Sequence, residues 1–422
     1  AEMKNLLGGK GANLAEMNHL GIPVPPGFTI TTDVCTHYYE NGQTFPDELE
    51  TELTDALQAT EQIMGIKFGD EQDPLLVSIR SGARQSMPGM METVLNVGLT
   101  TKTIPGLIKK TNNARFVYDA YRRLIMMYAD VVMEKAAGIK AEEGQGIRNR
   151  LESLLEIHKE ENQYQNDTDL NGDDWKLLSE KFKEKIASTL GDEFPDDPMA
   201  QFRGGIQAVF QSWNGNRAIS YRRIENIPHE WGTAVNVQTM VFGNMGDDSA
   251  TGVAFTRNPA TGENIFFGEW LANAQGEDVV AGLRTPNPLN EDTKTEDTKD
   301  LPSLESSMPE IYTQLAEIRE TLEDHYSDMQ DIEFTIQEGR LWMLQTRVGK
   351  RNGSAAIKMA VDMAQEGMID KQIALMRVKP DQLDELLHPM LDSQAEEKAV
   401  LLAKGLPAGP GGATGRVVFT AD

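Results

Sequence analysis

Two carboxylates one pleat apart, with an amide and an arginine on the next strand, can hold a divalent cation against a polyphosphate. Residues 331–347 supply that set: Asp-Ile-Glu-Phe-Thr-Ile-Gln-Glu-Gly-Arg-Leu-Trp-Met-Leu-Gln-Thr-Arg. Ile332, Phe334 and Ile336 alternate with Asp331, Glu333, Thr335 and Gln337, which places both acids on one side of a strand. A two-residue loop, Glu338-Gly339, or a three-residue loop, Gln337-Glu338-Gly339, closes the hairpin. We expect the longer one, a type I turn with Gly339 left-handed, followed by a bulge. That register sets Asp331 opposite Gln345 and puts Gln345 and Arg347 on the face of the two acids. Mg²⁺ takes oxygen ligands at about 2.0–2.1 Å, commonly one or two carboxylates plus phosphate oxygens. The same alternation also suits a half-exposed hairpin with solvated acids, and the hairpin alone leaves both readings open.

A cation site of this kind needs a phosphate grip elsewhere. Gly8-Gly9-Lys10-Gly11-Ala12-Asn13 precedes a helical stretch, where backbone N–H groups and the Lys10 ammonium suit an anion. It lacks the spacing of a Walker A loop, and an ordinary turn is the plain alternative. Arg80-Ser81-Gly82-Ala83-Arg84-Gln85-Ser86-Met87-Pro88-Gly89-Met90-Met91 reads as a strand ending at Arg80 and a Gly/Pro/Met loop. The Arg80 guanidinium is a rigid donor fork suited to phosphate oxygens; a structural arginine beside an exposed loop is the alternative. Thr251 and Gly252 open a strand after a turn, with backbone donors that suit a polyphosphate or serve the turn alone. Glu269, Asn273 and Gln275 are polar positions near a strand end. The six histidines are scattered without ligand or triad spacing, and none is assigned a catalytic role.

The chain around these residues has 422 residues, enough for several domains. Asp and Glu number 66 against 40 Lys and Arg, a net charge of −26 that opposes nucleic acid and anionic membranes. An anion site here therefore needs locally gathered cations. Cys35 is the single cysteine, which rules out an internal disulfide framework and fits a reducing compartment. No apolar run approaches the roughly 20 residues of a membrane span. The absence of an initial Met suggests that a short N-terminal piece is missing.

Helices are expected at 46–65, at about 112–136, over 140–190 with a polar break near 166–174, at 200–225, at 309–328 and through 354–403. In the 112–136 helix, Phe116, Val117, Ala120, Tyr121, Leu124, Tyr128, Val131 and Val132 recur at helical spacing. Strands are expected at 28–31, 75–80, 234–242, 254–255 and 265–269. Residues 287–307 read as a loop or linker.

Long stretches of the sequence resemble the pyruvate, phosphate dikinase family. They are Leu6–Met17, Val77–Arg84, Ser86–Met91, Thr251–Pro259, Asn273–Gly282 and Leu344–Arg347, and the resemblance covers essentially the whole chain. It implies an α+β fold: an ATP-grasp nucleotide-binding domain of three subdomains with a helical insertion and a helical linker. On that basis 1–99 and 186–241 form one subdomain, 100–185 the insertion and 242–348 the subdomain with the metal-binding hairpin. Residues 349–403 form the linker, and 404–422 begin a swivelling phosphohistidine domain that is cut short.

The resemblance further implies Mg²⁺ with ATP, Lys10 and Arg80 as a phosphate-binding pair, and Asp331 and Glu333 as metal ligands. Gln345 and Arg347 are their companions, and Thr251 and Gly252 form a loop over the polyphosphate. In the family, ATP, phosphate and pyruvate give AMP, pyrophosphate and phosphoenolpyruvate through a histidine on a central domain. That histidine's Thr-Ser-His-Ala motif and the pyruvate-binding C-terminal barrel are absent here. We therefore expect a fragment that binds Mg·ATP and phosphate without completing the reaction. A cytoplasmic location, a monomeric fragment and a homodimeric whole enzyme complete the expectation. A dikinase that uses water, like phosphoenolpyruvate synthase, and a non-catalytic nucleotide-binding module are the alternatives.

Overall fold

The Pro23–Pro26 run enters a strand as extended backbone, and eleven strands follow among the described residues. They are β1 (Gly27–Ile30), β2 (Lys67–Phe68), β3 (Pro74–Leu75), β4 (Val77–Ala83), β5 (Thr93–Val97), β6 (Thr233–Thr239), β7 (Ala250–Phe255), β8 (Phe267–Ala272), β9 (Asn287–Pro288), β10 (Gln330–Gln337) and β11 (Arg340–Val348). The computed structural model describes residues 3–142, 144–280, 285–387, 398–400 and 415–416. Helices alternate with two larger, mixed-order sheets, an α+β organisation. One sheet has the order β1-β6-β4-β5, the other β11-β10-β7-β8-β9, and β2 and β3 form a small parallel pair. The chain divides into two compact units. The first comprises Ala1–Gly252, Leu271–Pro286 and Glu333–Arg347; the second comprises Val253–Trp270, Asn287–Ile332 and Val348–Asp422.

In the first unit, β4 and β6 pair antiparallel with Ile79 opposite Val237 and Arg80 opposite Asn236. Val77, Ile79, Val235 and Val237 are buried in the core with Phe202, Ile206 and Phe210 from the helix Pro198–Ser212. The pairing continues through Ser81, Gly82 and Ala83, so β4 ends three residues beyond the expected Arg80. The expected helix at 112–136 is an α-helix over Ala114–Tyr128, capped by Asn113 Oδ1 accepting from the Phe116 N–H. It runs on as a π-helix over Ala129–Ala136. The helix Gly172–Leu190 opens with a reciprocal Asn171–Asp174 capping box, which accounts for the polar break before it.

In the second unit, the helix Pro309–Tyr326 buries Ile311, Leu315, Ile318 and Leu322 at helical spacing. The helix Gly353–Gln365 packs Met359 and Met363 with Met329 and Ile369. Arg257 is fully buried and lies between Glu323, at 2.9 Å, and Glu366, at 2.6 Å. The 287–307 segment carries β9 and a short helix at Leu304–Ser307 rather than loop alone. The expected linker at 349–403 forms helices at Gly353–Gln365, Lys371–Arg377 and Pro380–Glu385. Its later part, His388 included, and the expected domain start at 404–422 lie outside the described residues, except for Lys398–Val400, Gly415 and Arg416. No helix among the described residues is long and apolar enough to cross a membrane.

Candidate anion and nucleotide site

The glycine-rich segment near the N-terminus lies inside a kinked helix, Lys4–His19, where an open loop was expected. Gly8 makes the kink, with φ 68° and ψ 173°, a conformation that glycine reaches without a Cβ penalty. A Cβ there would also overlap the Gly82 carbonyl of β4, so the segment seats directly on that strand. Gly8 makes the helix restart there, and a helix start is where first-turn N–H groups lack intrahelical acceptors. Lys10 stands in this turn. Three residues on, Asn13 Nδ2 donates to the Thr346 carbonyl of β11 at 2.7 Å, which fixes the turn against the strand that carries Gln345 and Arg347.

Arg80 projects from β4 into the same cluster. Its side chain is 14% exposed, and its contacts are long: Nη2 to Glu333 Oε2 at 3.4 Å, and Nη1 to Gln238 Oε1 at 3.4 Å and to the Leu344 carbonyl at 3.5 Å. Gln345 Nε2 donates to Glu333 Oε1 at 3.1 Å. Burial, and then the Arg80 guanidinium, push the Lys10 ammonium down to about 7; Arg347 acts in the same direction and Glu333 against it. Lys10 thus feels Arg80, Arg347 and Glu333 together, a local gathering of cations within a chain of net charge −26.

The hairpin turn differs from expectation. Gly339 is left-handed, with φ 73°, but so is Glu338, with φ 50°, and only these two residues separate β10 from β11. A two-residue turn with both φ positive matches the right-handed twist of the strands, which a type I turn does not. It is anchored by Glu338 N–H donating to Ser249 Oγ at 3.0 Å and Gly339 N–H to the Asp248 carbonyl at 2.9 Å. Left-handed backbone costs an ordinary L-residue about 1–2 kcal/mol, and asparagine tolerates it better. Glu338→Asn should therefore raise stability by about 1 kcal/mol in chemical denaturation; unchanged or lower stability would contradict this reading of the turn.

The structure brings Lys10, Arg80, Glu333, Gln345 and Arg347 near one another. Asp331 is buried at the second position of β10, two residues before Glu333. Thr251 and Gly252 lie within β7 and not on a covering loop; Thr251 is buried and its hydroxyl donates to the Phe334 carbonyl at 3.2 Å. The segment after β4 is held at Met87, which is buried with Ala83, Trp213, Ala218 and Ile227, while Gln85, Ser86, Pro88 and Gly89 face solvent. Glu269 lies on β8 opposite Pro288, and Gln275 Nε2 donates to Asn244 Oδ1 at 3.3 Å.

The residues missed from the sequence are Gln238 and Asn236. They alternate with Val235 and Val237 on β6, and both are buried to within 3% of full burial. Gln238 orients Arg80, and Asn236 Nδ2 is buried beside Gly82 without a partner among the described residues. Two amides on one face of a buried strand were the available signal, since buried polar side chains require a reason. Among the described residues, no three His, Cys, Asp or Glu side chains converge as a metal nest. A cation here would thus draw most of its oxygens from a ligand and from water, the usual habit of Mg²⁺.

Comparison with known proteins bears on the same residues. The family model described as the pyruvate phosphate dikinase AMP/ATP-binding domain matches residues 4–44, 41–308 and 289–368. Pyruvate, phosphate dikinase of Clostridium symbiosum is 51% identical over 423 residues, covering 100% of this chain and 46% of that protein. The Rhizobium meliloti (strain 1021) protein of the same name is also 51% identical over 423 residues, with the same shares. The chloroplastic pyruvate, phosphate dikinase 1 of Zea mays is 50% identical over 420 residues, covering 100% of this chain and 42% of that protein. The chain spans less than half the length of these relatives.

Proposed function

This chain belongs to the pyruvate phosphate dikinase AMP/ATP-binding domain family, and we propose that it binds Mg·ATP, as an ATP-grasp module, at the cluster of Lys10, Arg80, Glu333, Gln345 and Arg347. One observation carries this reading. A lysine and two arginines gather near the Glu333 carboxylate beside a helix restart, and burial, then the Arg80 guanidinium, destabilise the Lys10 ammonium. A polyphosphate supplies the opposing negative charge.

In this reading the N–H groups of the helix restart and the Lys10 ammonium take phosphate oxygens, and the Arg80 fork takes two more. Arg347 offsets charge from the opposite strand. Gln345 keeps the Glu333 carboxylate turned toward the cluster. Asp331 and Glu333, on alternate positions of β10, would hold the cation. When bound, Mg²⁺ neutralises charge on the phosphate oxygens as a phosphoryl group is transferred. The protein's own part is positioning and charge compensation, the two terms that dominate phosphoryl transfer.

For the whole protein, we read the reaction as transfer of the β-phosphoryl of ATP to a histidine on a central domain and of the γ-phosphoryl to phosphate. The phosphohistidine then serves pyruvate at a further domain, giving phosphoenolpyruvate, AMP and pyrophosphate overall. Calorimetric titration of this chain with Mg·ATP tests the binding step. Saturable binding at one nucleotide per chain is expected, and no heat at millimolar nucleotide would overturn the proposal.

A further inference from the structure

A cavity of about 500 Å³ lies in the first unit, and none of Lys10, Arg80, Glu333, Gln345 or Arg347 lines it. Its size falls in the range of small-molecule sites. One wall is the π-helix Ala129–Ala136, a rare geometry that recurs at functional sites. Val131 of that helix is 3% exposed and, with Met90 and Ala208, gives the cavity an apolar wall.

The polar groups are arranged asymmetrically. Gln211 lines the cavity, and its Nε2 donates to the Tyr38 hydroxyl at 3.1 Å. Its Oε1 is buried and has no partner among the described residues, a costly state for an amide oxygen. Three cations, Lys135, Lys140 and Arg217, and one carboxylate, Glu92, are the charged lining residues described. Glu92 already binds two of those cations, with Lys135 and Arg217 each at 3.1 Å. Lys135 is also paired with Asp130 at 2.8 Å, so three cations meet two carboxylates and the balance at the mouth is still positive in a chain of net charge −26.

We propose that this cavity binds a small organic anion. Its apolar body lies against Val131 and Met90, an N–H or O–H group donates to Gln211 Oε1, and its anionic group meets Lys140 and Arg217. Met90 belongs to the segment that follows the Arg80 strand, so a bound anion also touches the connection leading from β4. The inference stands independently of the Lys10 cluster.

Para-aminobenzoate carries the required ring, N–H donor and carboxylate, and is the probe. Saturation-transfer NMR titrations would compare it with benzoate, which lacks the donor, and para-aminobenzamide, which lacks the charge. Saturable binding of para-aminobenzoate is expected, with each analogue weaker by about tenfold, the scale of one lost charged or buried hydrogen bond. The exposed-site double variant Lys140→Ala/Arg217→Ala should weaken it similarly, Gln211→Met should erase the preference over benzoate, and Arg80→Ala should leave binding unchanged. Three results would each overturn the proposal: no saturable binding, binding indifferent to the double variant, or binding lost in Arg80→Ala, which would place the probe in the Lys10 cluster.

Discussion

Replacing Arg80 with alanine lowers the affinity for Mg·ATP about a hundredfold and leaves the chain folded. The size follows from the guanidinium's position and its unspent donors. Its three contacts among the described residues lie at 3.4–3.5 Å, too long to satisfy it, so its fork is available to a ligand. Hydrogen bonds to charged groups contribute about 1.5–3 kcal/mol each, and about 1.4 kcal/mol is a factor of ten in affinity. The fold survives because Glu333, the acid left behind, is 31% exposed and keeps water.

The same variant changes the pH dependence. In the free wild type, Lys10 is an ammonium below about 7 and a neutral amine above it. A polyphosphate prefers the ammonium and raises its pKa, so binding takes up a proton once the pH passes 7. Wild-type affinity is therefore full below about pH 7 and declines as the pH rises above it. Without Arg80 a main repulsion is gone, Lys10 keeps its proton to higher pH, and the decline moves upward. Calorimetry across the pH range checks both effects; equal affinity in the two proteins would contradict the role given to Arg80.

Arg257→Ala should cost about 3–5 kcal/mol of stability, because it strips the partner from a buried carboxylate. The Arg257 side chain is fully buried, and that of Glu323 is 8% exposed. Arg257 Nε and Nη2 donate to the two Glu323 oxygens at 2.9 and 3.3 Å, and its Nη1 and Nη2 donate to Glu366 at 3.2 and 2.6 Å. In the variant, Glu323 keeps only the Thr256 hydroxyl, at 2.9 Å, of these partners. Glu366 differs, since it is half-open to solvent and can rehydrate. Its carboxyl is held below the usual range, chiefly by hydrogen bonding to Arg257. That contribution is present at neutral pH and lost as the pH falls through the acid range. Chemical denaturation followed by circular dichroism measures the cost, and a loss under about 1 kcal/mol would show that the buried pair is not held as described.

Much of this was legible in the residues. The helices at 114–128, 172–190 and 309–326 follow from apolar spacing and from Asn113, Asn171 and Pro309 at their starts. The alternation over Asp331–Gln337 located β10, whereas the grouping of residues 10, 80, 333, 345 and 347 followed from the family resemblance and not from their types alone. What escaped is governed by contacts between distant segments. Gly8 is a kink and not a loop because Gly82, 74 positions later, requires the close approach. Strand β4 outruns Arg80 because β6 continues to pair with it. The turn is two residues long because strand twist outweighs the backbone preference of Glu338. The shift from α- to π-helix at Ala129 was not read from the sequence, where Val131 and Val132 continue the apolar recurrence of the preceding helix.

Titration of this chain with Mg·ATP at pH 7, alongside Arg80→Ala, is the most direct test that the Lys10 cluster is a nucleotide site. Saturable one-to-one binding in the wild type, weakened about a hundredfold in the variant, is the predicted result. No binding at millimolar nucleotide, or binding indifferent to Arg80, would contradict it.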